Sequence, residues 1–262
     1  MLQTYNEQRL VGACIEHLRE QGVDVYLIDN ESTDETVASA ERYLGNGLVG
    51  IETLPRDGSF ALRAQCARQE ELAQTLDADW LIHYDADEFR TSTKQGQSLA
   101  DAIREADEAG FNAIDFHEFV FVPTQEFPDH DHPDFRLTMR RYYFFQPTVP
   151  HRCNAWKKQE GPVELAWSGG HVVRFPGLNM APEPLNMRHY LFLSVPHAIE
   201  KFVERRFAED EVADGWFGWR ATIAAGDIVL PHDADLRFYV ADHLLDASSP
   251  RDRHVLDPAA LV

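Results

Sequence analysis

Cysteine is scarce in this sequence. Cys14, Cys66 and Cys153 are spread over 262 positions, and no CxxC pair occurs, so neither a disulfide framework nor a zinc–thiolate site is suggested. Long apolar runs are missing as well. No stretch approaches the ~18 residues that a membrane-spanning helix needs, and no basic segment followed by an apolar run marks a secretory signal. Positive charge is in short supply: 24 Lys and Arg face 44 Asp and Glu, a net charge of −20. Such a surface repels nucleic-acid backbones and anionic lipid, although a local basic pocket or a metal can still hold a small anion. Internal repeats and low-complexity tracts are absent. These absences point to a soluble protein of a reducing compartment, expected in the cytoplasm or at the cytoplasmic face of a membrane. What is present suits a folded domain: 44% apolar and 26% charged residues, in a length that fits one large α/β unit.

The first 90 residues alternate strand-like and helix-like stretches. Residues 8–21 place Leu10, Cys14 and Leu18 four apart, which predicts an amphipathic helix closed by Gly22. Residues 23–29 and 47–54 read as strands, Glu35–Tyr43 and 60–76 as helices, and 78–89 as an apolar strand running into acids. The succession βαβαβ predicts an α/β fold with a doubly wound, mostly parallel sheet flanked by helices. Ligands in such sheets bind beyond the carboxyl ends of the strands, where Asp29 and Asp85 both fall. Farther on, Phe116–Val122 and Tyr142–Phe145 read as strands around a polar loop at 123–133. Residues 195–212 and 212–226 read as helices. The Asp-, His- and Pro-rich segment from Pro231 reads as surface. One domain over 1–230 with a C-terminal extension over 231–262 is the expected organisation.

Asp85-Ala86-Asp87, extended by Glu88, is the densest chemical signal. Two carboxylates at i and i+2 at a strand end can share one hard cation, Mg²⁺ or Mn²⁺, that keeps positions for phosphate oxygens. A solvated acidic turn is the alternative. The second cluster is Asp29-Asn30-Glu31-Ser32-Thr33-Asp34. Its last three residues are helix-cap chemistry, which does not account for Asp29; a carboxylate there can accept from the N–H edge of a base. Tyr5, in Thr4-Tyr5-Asn6-Glu7, could stack on that base from the first strand.

TYNE, DNESTDET and DADEF, in that order and spacing, resemble the glycosyltransferase family 2 pattern on the GT-A fold, over about residues 1–90. The resemblance implies an inverting, metal-dependent transferase that moves a sugar from a UDP- or GDP-type donor to an acceptor hydroxyl. It implies that Asp29 binds the base, that Tyr5 stacks on it with Thr4 beside it, and that Glu7 lies near the nucleoside. Asp85 would face the ribose or the metal, Asp87 would ligate the metal directly, and Arg63 would contact base or diphosphate. Met1 lies only a few residues before TYNE, so relative to the family either the start is misassigned or the first strand is short.

Downstream, Lys157 followed by Gly169-Gly170-His171 resembles a basic residue preceding a glycine-flanked His in relatives. His171 is a candidate metal ligand or diphosphate contact, or equally a structural residue of a tight turn, with Lys157 a diphosphate or acceptor contact. Arg188-His189-Tyr190 with Ser194 and Lys201 resembles the relatives' HY…S…K stretch. There Arg188 or His189 faces the leaving diphosphate, or the stretch simply packs. Glu118 and Glu164 are candidate general bases. Asp129-His130-Asp131-His132 lies in a Pro-bounded loop and reads as acceptor-site loop rather than metal cluster. Phe202, Phe207, Trp216 and Trp219 read as packing aromatics. The alternatives are a catalytically silent nucleotide-sugar-binding or scaffold protein of the same fold and, with no Gly-rich triphosphate loop to support it, a nucleotidyltransferase.

Overall fold

The computed structural model describes residues 1–257. The chain runs β1 (Leu2–Thr4), α1 (Val11–Glu20), β2 (Val25–Asp29), α2 (Thr36–Glu41), β3 (Leu48–Thr53), α3 (Leu62–Thr75), β4 (Trp80–Ile82), β5 (Tyr84–Asp85), β6 (Glu88–Thr91) and α4 (Leu99–Glu108). It continues through β7 (Ala113–Ile114), β8 (Phe116–Phe121), α5 (Phe135–Thr138), β9 (Arg141–Phe145), β10 (Ala155–Lys157) and β11 (Leu185–Tyr190). α6 (Val195–Ala198) passes directly into a π-helical turn at Ile199–Val203, followed by α7 (Glu209–Ala213) and β12 (Arg237–Phe238).

The apolar spacing that predicts α1 is the face it buries: Val11, Cys14, Ile15 and Leu18 are all in the core. Gly22 ends it in the left-handed region at φ 75°, with Val23 N–H returning to the Leu18 carbonyl at 2.9 Å. α4 starts on Ser98, whose hydroxyl accepts from Asp101 N–H at 3.1 Å.

β3, β2, β1 and β5 form an all-parallel sheet in that order. A second, antiparallel sheet is β4-β10-β7, and a third, mixed one is β12-β9-β8-β11-β6. The sequence reads 78–89 as one strand; the structure divides it among all three sheets. His83, between β4 and β5, sends its N–H to the Asn154 carbonyl and its ring to Gln69. The chain is thereby handed from one sheet to the next. The Asp85–Asp87 turn then delivers β6 to β11, with Glu88 opposite His189. The fold is α/β with a parallel sheet flanked by helices.

The main core lies between α1 and the third sheet, where Phe89, Phe119, Phe121, Phe135 and Tyr190 are fully buried and meet edge-on or tilted. Each such side chain contributes roughly 1.5–3 kcal/mol by leaving water.

Residues 195–226 are not the two long helices that the spacing suggests. Phe60 and Phe207 pair backbone to backbone, with Phe60 N–H on the Arg206 carbonyl and Ala208 N–H on the Phe60 carbonyl. That extended pairing interrupts the helix. From Pro231 onward the chain adds β12 to the edge of the third sheet and buries Leu236, Val255 and Leu256. Among the described residues no helix is long and apolar enough to cross a membrane.

Candidate functional site

Strand register brings the N-terminal motifs together. Thr4 pairs with Asp29, and Gln3 with Asp85, at the carboxyl edge of the parallel sheet. Thr4 Oγ1 donates to Asp29 Oδ1 at 3.1 Å and Ser32 N–H to Asp29 Oδ2 at 2.9 Å. Asn6 N–H reaches Ser32 Oγ, and Glu7 N–H reaches Thr36 Oγ1 at 2.7 Å. TYNE and DNEST are thus one hydrogen-bonded unit. Over it lies Arg56, which the sequence reading passed over. Its guanidinium stands 3.4 Å above the Tyr5 ring and donates to Asn30 Oδ1 at 3.2 Å.

The acids that follow β5 differ from each other. Asp85 is half-buried, and among the described residues no donor reaches its carboxylate. Burial, and then the charge of Asp87, push it up. Asp87 is buried, yet Lys201 and His189 outweigh the burial and hold its carboxyl far below the usual range. Its Oδ2 accepts from Lys201 Nζ and, at 3.1 Å, from His189 Nε2. The π-helical turn presents Lys201; such turns recur at functional sites because they re-aim one side chain.

His189 stands between two carboxylates. Its Nδ1 lies 2.6 Å from Glu118 Oε1. Burial opposes its charged form, but Asp87 and Glu118 raise it to about 9. Glu118 is 0% exposed, with Oε2 held by His151 at 2.7 Å and Arg152 at 2.8 Å. This corrects the expectation of Glu118 as a general base. Burial opposes its ionisation, but Arg152, His151 and His189 hold it well below the carboxylate range, so it orients His189 instead.

Other expected contacts also move. Arg63 points outward to Asp214 at 2.8 Å and stacks on Trp216, so it joins α3 to α7. Lys157 is exposed and paired with Asp107 at 2.5 Å. Arg188 follows strand alternation to the face opposite His189 and meets Asp242 at 3.2 Å. Glu164 is exposed and lines no cavity with Asp85 or Asp87. His171 packs its ring 5.9 Å from His151, and burial, Arg152 and His151 keep it well below its ordinary value. The histidine beside the acids is His189, not His171. Among the described residues no three His, Cys, Asp or Glu side chains converge to hold a metal by themselves.

The glycines before His171 have a packing reason. Gly170 sits at φ +86°, where a Cβ would lie 2.5 Å from the His83 ring. Gly170→Ala is therefore expected to cost about 1–3 kcal/mol of stability, read as a lower denaturant midpoint; an unchanged midpoint would show that the turn and His83 are not in contact.

Two adjoining cavities share Tyr5, Glu7, Lys201 and Arg205. A small one, about 80 Å³, is lined by Asp85 and Asp87. The larger, about 430 Å³, adds Arg9, Arg56 and Arg206. Five cations thus gather in one cleft of a chain carrying a net charge of −20. The residues missed by sequence reasoning, Arg9, Arg56, Arg205 and Arg206, lie on three separate loops or turns, and no spacing links these three. Lys201 was visible only through the HY…S…K resemblance. Glu7 is largely buried, and burial with the charges of Asp87 and Asp85 takes its carboxyl up to about 7 against Lys201 and Arg205. Arg9 holds Asp131 at 2.9 Å and Glu200 at 2.7 Å, which ties the 123–133 loop to the cleft's rim.

A family model described as glycosyl transferase family 2 matches residues 2–157. No curated protein matches the chain. Among solved structures, crystal structures of S. aureus TarS are similar to it. The TarS structure gives a TM-score of 0.44 at 12% identity, over 82% of this chain and 42% of that one. TarS 1–349 in complex with UDP-GlcNAc gives 0.40 at 12% identity, over 72% and 57%. The same fragment in complex with UDP gives 0.34 at 18% identity, over 48% and 34%. The chain spans between about a third and three-fifths of the length of these TarS chains.

Proposed function

Because the chain belongs to glycosyl transferase family 2, we propose that it moves a sugar from a nucleoside-diphosphate donor of UDP or GDP type to an acceptor hydroxyl, with inversion and with Mn²⁺ or Mg²⁺ bound. The observation that carries this is the meeting of Asp85, Asp87, His189 and Lys201 at the head of a cationic cleft beside Tyr5 and Asp29. In this reading residues 1–230 are the transferase domain and 231–262 its extension.

The donor set suits a hard or borderline cation. Asp85 has no donor among the described residues, Asp87 Oδ1 accepts from none of them, and each disfavours the other's charge. Glu118 accepts from His189 Nδ1 and so fixes the ring with Nε2 donating to Asp87, which places His189 as a positioning residue behind the acids. The residues that would hold the ion are Asp87 and Asp85, with remaining positions left to phosphate oxygens and water. Bound there, a divalent cation supplies charge neutralisation for the departing diphosphate.

The chain's own residues do the rest. Lys201 and Arg205 face the diphosphate, Asp29 reads the base edge, and Tyr5 with Arg56 forms the stacking surface. Glu7, whose carboxyl burial above all raises to about 7, can accept from a ribose hydroxyl. The acceptor hydroxyl attacks the anomeric carbon from the face opposite the leaving diphosphate; the new C–O bond forms as the bond to the diphosphate breaks, the hydroxyl proton passes to water in the cleft, and the configuration inverts.

Thermal unfolding tests the reading. UDP or GDP with Mn²⁺, at a hundredfold over Kd, is expected to stabilise the fold by about 2.7 kcal/mol, a Tm rise of several degrees, and each component alone by much less. Equal stabilisation without Mn²⁺ would overturn the role of the cation. No response to either nucleotide would overturn the donor.

A further inference from the structure

A second large cavity, about 620 Å³, opens where the C-terminal segments pack against the third sheet, and the reading above leaves it unused. His151 and Arg152 line it. Both also grip Glu118, at 2.7 and 2.8 Å, and Glu118 positions His189 against Asp87. The cavity is therefore built on the far end of the same buried charge network.

Its lining combines two kinds of chemistry. Trp167, Trp216 and Trp219 line it, each with one face under an arginine (Arg174 at 3.0 Å, Arg63 at 4.7 Å and Arg220 at 5.0 Å) and one face left for a ligand, and Trp167 is 42% exposed. Three of the chain's five tryptophans thus meet one cavity. The other feature is Arg220. Arg152 is answered by Glu118 and Glu88, and Arg253 lies 3.8 Å from Asp257. Arg220 has no carboxylate partner among the described residues. Its guanidinium lies over the rings of Trp219, at 5.0 Å, and Phe202, at 5.9 Å. Burial and the nearby Arg152 disfavour its charge. A partly buried guanidinium without an anion is costly, and its planar fork matches a carboxylate or phosphate. Tryptophan faces pack against the C–H face of a pyranose ring, while a few convergent polar groups fix its orientation.

We propose that this cavity binds a saccharide unit bearing an acidic group, received by Arg220. The proposal goes beyond the transferase reading and does not depend on it. A uronic acid and a sugar phosphate share the chemistry, and the test separates them.

Methyl β-glucuronide, glucose 6-phosphate and neutral methyl β-glucoside are titrated into the full chain with tryptophan fluorescence as the readout. At least one acidic probe is expected to give a saturable change roughly tenfold or more tighter than the neutral one, and Arg220→Gln to remove that preference. The probe that responds identifies the acid. Trp167→Ala, at an exposed position, is expected to weaken acidic and neutral probes alike. The Mn²⁺-dependent nucleotide shift in Tm should persist in Arg220→Gln. No saturable change with either acidic probe, or unchanged binding in Arg220→Gln, would overturn the proposal. Binding of an acidic probe in a chain that ignores UDP and GDP would instead overturn the transferase reading and leave the acidic-saccharide site standing.

Discussion

Asp87→Asn is expected to lower donor turnover on the order of 10³-fold and to abolish the extra stabilisation that Mn²⁺ gives to nucleotide binding. The substitution keeps the side chain's shape and one carbonyl oxygen but removes the charge that Lys201 and His189 both face. Two cationic groups are then left buried without their shared partner, which should also cost about 3 kcal/mol of stability. The comparison with Glu118→Gln separates ligand from support. Glu118 touches His189 and not the cleft, so its variant should lose about ten- to a hundredfold in turnover while retaining a weakened Mn²⁺ response. Release of nucleoside diphosphate from the donor, measured against Mn²⁺ concentration, reports both. If Asp87→Asn turns over donor at the parent rate with the parent Mn²⁺ dependence, the metal site does not lie at Asp87.

Mild acid is expected to destabilise the protein strongly, and two histidines outside the acidic cluster are enough to do it. His17 is buried, with Nε2 donating to the Arg90 carbonyl at 2.9 Å. Burial, and then Arg188, lower it to about 3. His197 is buried with Nδ1 accepting from Leu193 N–H at 3.1 Å, and burial, then Lys201, lower it to about 3 as well. Both are neutral in the folded chain and titrate near 6.5 when it unfolds. The unfolded state therefore binds more protons between those limits, and stability rises with pH there. It is complete above about pH 6.5 and is lost as pH falls towards about 3. At about pH 5 each residue removes roughly 2 kcal/mol. A combined loss of about 4 kcal/mol is a large part of the 5–15 kcal/mol that a domain holds. Urea unfolding at about pH 7 and pH 5 reads it directly. His17→Gln with His197→Gln should shrink the difference by about 4 kcal/mol and leave the share of other buried histidines such as His83, which burial also lowers to about 3; a parent-like pH slope in that double variant would refute the assignment.

Much of the N-terminal half was legible because its signals are local. The four-residue spacing of Leu10, Cys14 and Leu18, the cap chemistry after Asp29 and the apolar run before Asp85 each act within one element. They gave the α/β alternation and the acids at the sheet edge. Legibility failed where a residue's role depends on distant backbone. The 195–226 stretch has helical spacing, yet Phe60, far away in sequence, pairs with Phe207 and interrupts it. Arg63 and Lys157 are basic residues at suggestive positions, but Asp214 and Asp107 claim them on the outside.

Sequence alone determined the order of the motifs and the residue types at the strand ends, because periodicity and turn chemistry are short-range. Which groups face Asp87 was decided by tertiary structure. The register of β11 on β6 sets His189, and not Arg188, against the acids, since neighbours on a strand point to opposite faces. Only the packing of the π-helical turn brings Lys201 to the same carboxylate, and only burial turns Glu118 from an expected base into the residue that holds His189 in place.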